Sequence, residues 1–230
     1  MTKLHLNWPN SGRRGVPMAD FVCITAIKAD AREPNLRKIH SGSKVIGRIR
    51  RQDVDALQLA VHDELDPSML DAIAACDRRV ALRLRAIRSL SRAAASRQRL
   101  ATRLAPHADN FEQVTAILDE LEQDGLLDDA VAADQIAQEV LRRGPIGTYK
   151  LTSLLRSRGF GGDLSRSVAA KYMSDRDELA DALEAARKAA RGLDRLPLDT
   201  ARRRLTGRLA RKGFSAGVVR ETVDRTLSSE

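Results

Sequence analysis

Aromatic residues are scarce in this chain, at 3% of its 230 positions, and there are only two cysteines. The aromatic shortage argues against a ring-packed β-sandwich or barrel. It also leaves no strand of alternating aromatic and basic residues such as RNA-recognition sheets and OB-folds use to stack bases. Cys23 and Cys76 lie 53 positions apart, with no C-x-x-C spacing. That pattern excludes a disulfide framework and a zinc site and fits a reducing cytoplasm, with each thiol read as a small buried apolar residue. No run of 18 apolar residues occurs, so no membrane-spanning helix is expected. Residues 1–20 also lack the apolar core of a signal peptide.

Catalytic motifs are missing as well. His5, His40, His62 and His107 fall in different segments, and none has a histidine or glutamate at metal-ligand spacing. There is no Gly-x-Ser-x-Gly and no phosphate loop ending in Gly-Lys-Ser/Thr. Arg143-Gly144-Pro145-Ile146-Gly147 resembles such a loop only superficially and reads as a helix stop, a turn and the next helix start. Asp128-Asp129, after the Gly125-Leu126-Leu127 turn, read as caps at a positive helix end and not as a metal pair. The expectation is a binding protein without enzymatic activity, metal or cofactor.

What is abundant is helix-forming residues and positive charge. Forty Lys and Arg against 31 Asp and Glu leave a net charge of +9, which points first to a nucleic-acid partner. Residues 1–20, including Trp8, read as a flexible basic arm. Residues 21–52 read as a small β-rich segment: a strand over Phe21–Ile27, then Arg37–His40, a Ser41-Gly42-Ser43 turn, and Lys44–Ile49. Connecting helices over 53–77 begin near Asp53. Asp66 and Pro67 then serve as N-cap and first residue of a long helix whose face carries Ile73, Val80, Leu84, Ile87 and Ala94.

The remainder repeats itself. Arg99–Leu104, Lys150–Leu155 and Arg204–Leu209 align on anchor leucines Leu104, Leu155 and Leu209, which are 51 and 54 residues apart. The later two copies run on to Gly159-Phe160 and Gly213-Phe214, whose glycines suit left-handed helix C-caps. A further helix follows in each, with Val114 and Leu118, Leu164 and Val168, and Val219 and Val223 at matching offsets. The fold expected is mainly α, with three tandem three-helix repeats in an elongated array behind the β-rich segment. The repeats are placed at 78–129, 130–174 and 175–230.

Charge falls in blocks. Residues 78–104 hold nine arginines and no acid, residues 109–141 hold ten acids and no Lys or Arg, and residues 201–220 hold seven basic residues and no acid. Like charges four apart weaken a helix by a few tenths of a kcal/mol, so something must offset them. For the first block, including Arg85, Arg88 and Arg92, two readings stand: pairing with the chain's own acidic block, or with a partner's phosphates. Arg142, Arg143, Lys150, Arg156, Arg158, Arg202, Arg203, Arg208, Arg211 and Lys212 have fewer acidic neighbours in sequence and read as a partner surface. Phosphate contacts of this kind are salt-dependent and poor in base information.

One ordered set of motifs resembles a known family. Leu118–Asp129, with Gly125, Leu127, Asp128 and Asp129, is similar to the Leu-x-x-Leu-x-x-x-Gly-Tyr/Leu-Leu-Asp-Asp element of RecX-family recombination regulators. Arg142-Arg143-Gly144-Pro145, Leu151–Phe160 and Leu205–Ser215 continue the likeness, the last resembling that family's Leu-Ala-Arg-Arg-Gly-Phe motif. It spans roughly residues 21–227. The chain departs from the pattern at Val131-Ala132-Ala133, where Arg-Phe-Ala is usual, and at Pro106-His107-Ala108-Asp109, where a Lys/Arg-Gly-Phe turn is expected. The resemblance implies a regulator that binds the RecA recombinase–DNA filament and damps its growth, strand exchange and coprotease activity, in recombination and the DNA-damage response. A stand-alone DNA-binding protein with helix–turn–helix-like repeats is the alternative. Nothing in the sequence points to an oligomer, and a monomer is expected.

Overall fold

The computed structural model describes residues 22–228. The arm expected over residues 1–20, with Trp8, lies outside them. The chain divides into two compact units, with the division at Val80/Ala81.

The first unit is built on two small antiparallel sheets. β1 (Val22–Cys23) pairs with β5 (Glu64–Leu65), while β2 (Ala26–Ala29), β3 (Leu36–Ser41) and β4 (Lys44–Arg50) form a meander. The single strand expected over Phe21–Ile27 is therefore two. Ile24 N–H donates to Asp63 O at 2.9 Å and Thr25 N–H to His40 O at 2.8 Å, so the ladder changes partner between them. The hairpin at Ser41-Gly42-Ser43 stands as expected, with Gly42 at φ +59°. α1 (Arg51–Ala56) starts slightly before Asp53, whose carboxylate accepts from Arg50 N–H at 3.1 Å. α2 (Pro67–Leu90) starts as its sequence dictates, with Asp66 accepting the Met69 N–H at 2.7 Å. Ile24, Ile39, Ile49 and Ile73, all fully buried, form the core of this unit. A Cβ at Gly47 would lie 2.5 Å from Ile73 Cγ2, so that glycine lets α2 lie close on β4. Cys76 and Cys23 are half-buried, not buried, and neither forms a disulfide.

The second unit holds the helical repeats. The end of α2 groups with α3 (Arg97–Leu104) and α4 (Phe111–Gln123), joined by a short 3-10 turn at Ala105–His107. α5 (Asp129–Arg142), α6 (Thr148–Ser157) and α7 (Gly162–Met173) form the next group, and α8 (Glu178–Ala189), α9 (Leu198–Arg211) and α10 (Ala216–Leu227) the last. Each group closes over its own apolar cluster, with Leu104, Leu155 and Leu209 at most 1% exposed. Val114, Leu118, Val168, Val219 and Val223 are buried beside them, and Leu164 is partly so. Along α2 the buried stripe differs from the expected one. Leu82 and Ala86 are buried, whereas Leu84 and Ile87 are half-buried. A seven-residue spacing drifts around a 3.6-residue helix, which moves those later positions to the edge of the buried stripe, where Ile87 still packs against the cluster. α2 also stops at Leu90, so Ala94 lies beyond it and packs against the second cluster.

Successive repeats meet through a recurring contact. Ser96, the N-cap of α3, donates its hydroxyl to Arg158 O at 2.7 Å while accepting the Arg99 N–H at 3.1 Å. One repeat later, Gly147, the N-cap of α6, donates its N–H to Lys212 O at 2.9 Å. Both accepting carbonyls come immediately before the turn glycines, Gly159 (φ +88°) and Gly213 (φ +81°). Those glycines thus serve two ends: they cap a helix, and they leave room for the N-terminus of the preceding repeat's middle helix. A Cβ on Gly159 would sit 2.6 Å from Ser96 Oγ. Phe160 and Phe214, which follow them, are buried as core residues at 4% and 5% exposure.

Candidate nucleic-acid interface

The structure separates the arginines of the 78–104 block. Arg83 reaches the acidic helix α4, pairing with Glu120 at 3.7 Å and with Asp124. Arg97 does the same, with Nη2 donating to Asp119 at 2.7 Å and Nη1 lying 2.7 Å from Glu122. For these two the intramolecular reading holds. Arg85, Arg88, Arg92, Arg99 and Arg103 make no ion pair among the described residues.

These remaining arginines line two clefts. Arg85, Arg88, Arg92 and Arg103 surround one between the end of α2 and α3. Arg99, Arg103, Arg156 and Arg158 surround the second, between α3 and the turn after α6. Arg103 belongs to both, so seven guanidinium groups from two repeats form one connected surface. Two of them are steered by local bonds: Arg88 Nε donates to Leu84 O at 3.2 Å, and Arg103 Nη1 to Ser89 Oγ at 2.9 Å. With no acid among the described residues that line the clefts, these cations repel one another, and an anionic partner would relieve that repulsion.

Other expected contact residues are placed differently. Arg203, Arg208 and Arg211 line a separate basic cleft on α9 with Arg204 and Gly207, although Arg208 also donates to Ala189 O. Arg143 pairs with Glu139, Arg202 with Asp224, and Lys212 Nζ donates to Pro145 O at 3.1 Å. Those three side chains thus have partners within the chain, the two ion pairs at exposed positions. Arg142 and Lys150 are exposed and line none of these clefts. Arg99 and Arg103 belong to the 78–104 block, as a like-charge pair four apart, without being among the candidate contact residues. A usable signal exists, because Arg99, Lys150 and Arg204 all stand five residues before their anchor leucines.

The Asp-Asp motif has a structural role on both counts. Asp128 is the N-cap of α5, accepting from Ala130 N–H at 2.8 Å and Val131 N–H at 3.1 Å. Asp129 instead accepts the Arg97 N–H at 2.7 Å, tying α5 to the start of α3. Gly125 (φ +67°) and Gly144 (φ +139°) end α4 and α5. Burial pushes the Asp129 carboxyl above its usual range, and Glu122 adds to this while the Arg97 N–H and side chain oppose it. The folded chain then holds this proton more tightly than the unfolded one. Ionised Asp129 opposes folding above its folded pKa, and that penalty vanishes as pH falls through it. Asp129→Asn keeps an acceptor and removes the charge. It is expected to melt at or above the wild type at neutral pH, by a margin that closes toward about pH 4. Thermal melts across that range test this. A less stable variant with a gap that widens in acid would contradict it.

No group of three or more histidine, cysteine or acidic residues with metal-binding geometry occurs among the described residues. No helix there is long and apolar enough to cross a membrane.

The comparisons with known proteins agree with this architecture. Residues 176–223 match the family model described as "RecX, third three-helix domain". The chain is 36% identical over 143 residues to "Regulatory protein RecX" of Chromobacterium violaceum, covering 62% of this chain and 88% of that one. It is 35% identical over 148 residues to the protein of the same name from Mycobacterium avium, covering 63% and 83%. Among solved structures, "Crystal structure of regulatory protein RecX" superposes with a TM-score of 0.68 at 21% identity, over 90% of this chain and 99% of that one. RecX from Lactobacillus salivarius gives 0.56 at 16% identity, over 67% and 99%. These two structures bear on the fold alone: helical three-helix repeats behind a small β-rich segment. With more than four-fifths of each of those two named relatives covered, at identities above one third, the chain belongs to the RecX family of regulatory proteins.

Proposed function

We propose that this chain binds the RecA recombinase–DNA filament and restrains its recombinase and coprotease activities, as a cytoplasmic, monomeric, non-enzymatic regulator in recombination and the DNA-damage response. The observation that carries this reading is the surface of seven arginines, none in an ion pair among the described residues, spanning repeats 1 and 2 of a RecX-family chain. Single- or double-stranded DNA would meet it through phosphates, giving affinity without sequence preference. The repeat limits suggested by the sequence, 78–129, 130–174 and 175–230, serve as the working division of the molecule. A cytoplasmic setting suits two thiols that form no disulfide.

The testing experiment is the single-stranded-DNA-dependent ATPase rate of RecA from the matching organism, titrated with this protein at two salt concentrations. Suppression at well under one regulator per recombinase monomer, weaker at higher salt, is the expected result. An unchanged ATPase at saturating ratios would reject the reading. The same arginine surface supports a second reading, a stand-alone DNA binder, because those cations need no recombinase to attract phosphate. That reading gains if bare duplex is bound tightly with a steep salt slope while the ATPase is untouched.

A further inference from the structure

The second junction between repeats holds a groove whose chemistry the arginine surface does not explain. It has a volume of about 480 Å³ and lies between α9 and α10, beside the first turn of α6. Phe214, Val219 and Val223 are its buried apolar walls, and Ala210 and Ala216 its exposed flanks. Tyr149 stands at its lip, 73% exposed. Phe111 is as exposed, at 72%, but lines none of these clefts, whereas Tyr149 stands beside apolar walls.

Position within the repeat makes the contrast informative. Tyr149 and Gln98 each stand six residues before an anchor leucine, Leu155 and Leu104, so they are equivalent. At the first junction that position adjoins Arg99, Arg103, Arg156 and Arg158. At the second it adjoins Phe214, Val219, Val223 and small side chains, with Arg202 and Arg220 at the rim. Phosphate gains nothing from an apolar wall, whereas a large apolar side chain gains by leaving water. A nucleobase would bring polar edges against Phe214, Val219 and Val223 and would find its hydrogen-bond partners only toward the rim.

The rim adds a charge requirement. Arg220 borders the groove and Lys150 follows Tyr149, and neither makes an ion pair among the described residues. Arg202, the third cation, is already held by Asp224. Aromatic and arginine side chains around a sheltered apolar centre are also the make-up of protein-binding hot spots. We infer that this groove docks a large apolar side chain carried on an acidic segment of a protein partner. The inference rests on the reading above, in which that partner is the recombinase of the filament. The two junctions then divide the work, the first taking phosphates and the second taking protein.

The test uses the full chain with Tyr149→Ala, Tyr149→Phe and Ala216→Glu, all at exposed positions, with folding checked by circular dichroism. Binding is measured to RecA filaments on a single-stranded oligonucleotide and, separately, to the bare oligonucleotide. Tyr149→Ala and Ala216→Glu are each expected to weaken filament binding about thirtyfold, with Tyr149→Phe recovering most of it and bare-oligonucleotide affinity unchanged within about twofold. Unaltered filament binding in both would overturn the inference while leaving the recombinase reading intact. An equal loss on the bare oligonucleotide would overturn it in favour of a base lodged against Tyr149. A wild-type chain that holds the oligonucleotide but not the filament would remove the recombinase reading, and this inference with it.

Discussion

Gly213→Ala is expected to destabilise the docking of the third repeat on the second by about 2–5 kcal/mol. Two separate costs add. Gly213 sits at φ +81°, where a Cβ costs roughly 1–2 kcal/mol. That Cβ would also lie 2.5 Å from Lys150 Cβ and 2.8 Å from its Cα, and it would overlap the Lys150 backbone nitrogen. Backbone cannot rotate aside as a side-chain tip can, so overpacking adds roughly 1–3 kcal/mol. Two other glycines calibrate this. Gly125 has φ +67° but open space around it, so Gly125→Ala should show the conformational cost alone. Gly217, early in α10, has neither problem, and Gly217→Ala should stabilise by about 0.5–1 kcal/mol. Hydrogen exchange is the suitable readout, because a chain of several units need not melt in one step. Protection should fall in α8–α10 and at the start of α6 and stay unchanged in the β-strands. If Gly213→Ala costs no more than Gly125→Ala, the tight inter-repeat contact contributes nothing.

Neutralising the connected arginine surface is expected to have the largest effect on binding. In the triple variant Arg99→Ala/Arg103→Ala/Arg156→Ala, each lost phosphate contact should lower the salt slope by about 0.9 on duplex or about 0.7 on single strands. Three contacts make about 2–3 units of slope. Measured at about 0.1 M salt against a 1 M reference, that corresponds to roughly a 100- to 500-fold loss of affinity. Arg83→Ala is the control. Its guanidinium is occupied by Glu120 and Asp124, so removing it should leave the slope unchanged and cost some stability instead. A titration of labelled oligonucleotide at four or five salt concentrations separates the cases. Equal slopes for wild type and triple variant would show that these arginines do not touch phosphate.

Local signals carried much of the fold. The Leu-x-x-x-Leu anchors, the Gly-Phe turns and the Asp66-Pro67 helix start are short-range patterns, and each produces its element where its chemistry demands. What the sequence hid was non-local. The pairing of β1 with β5 joins Val22 to Leu65, a two-residue contact with no periodicity to announce it. Whether an arginine faces an acid is equally non-local. Arg83 and Arg85 are indistinguishable in composition, yet one is spent on α4 and the other lines a cleft. Asp129 looked like a helix cap beside Asp128, and only the packing of α3 on α5 shows its carboxylate held by the Arg97 backbone. Tyr149 reads in the sequence only as one of the chain's few aromatics, because the groove beside it is built by the next repeat.

The contact that links the repeats has a direction, and both of its loose ends are blunted. Each middle helix offers its N-terminus forward, and each following repeat offers a glycine turn to receive it. The first repeat has no receiver: at the positions of Arg158-Gly159 it carries His107-Ala108, with Ala108 at an ordinary φ of −107° and Pro106 just before. The last repeat has no free giver. At the position of Ser96 and Gly147 stands Ala201, 3% exposed and already inside α9, its N–H donating to Pro197 O at 3.0 Å. Among the described residues, neither outer repeat therefore presents its half of the joint that links its neighbours. One missing glycine and one extra turn of helix mark the outer repeats as the two that differ from the joint between them.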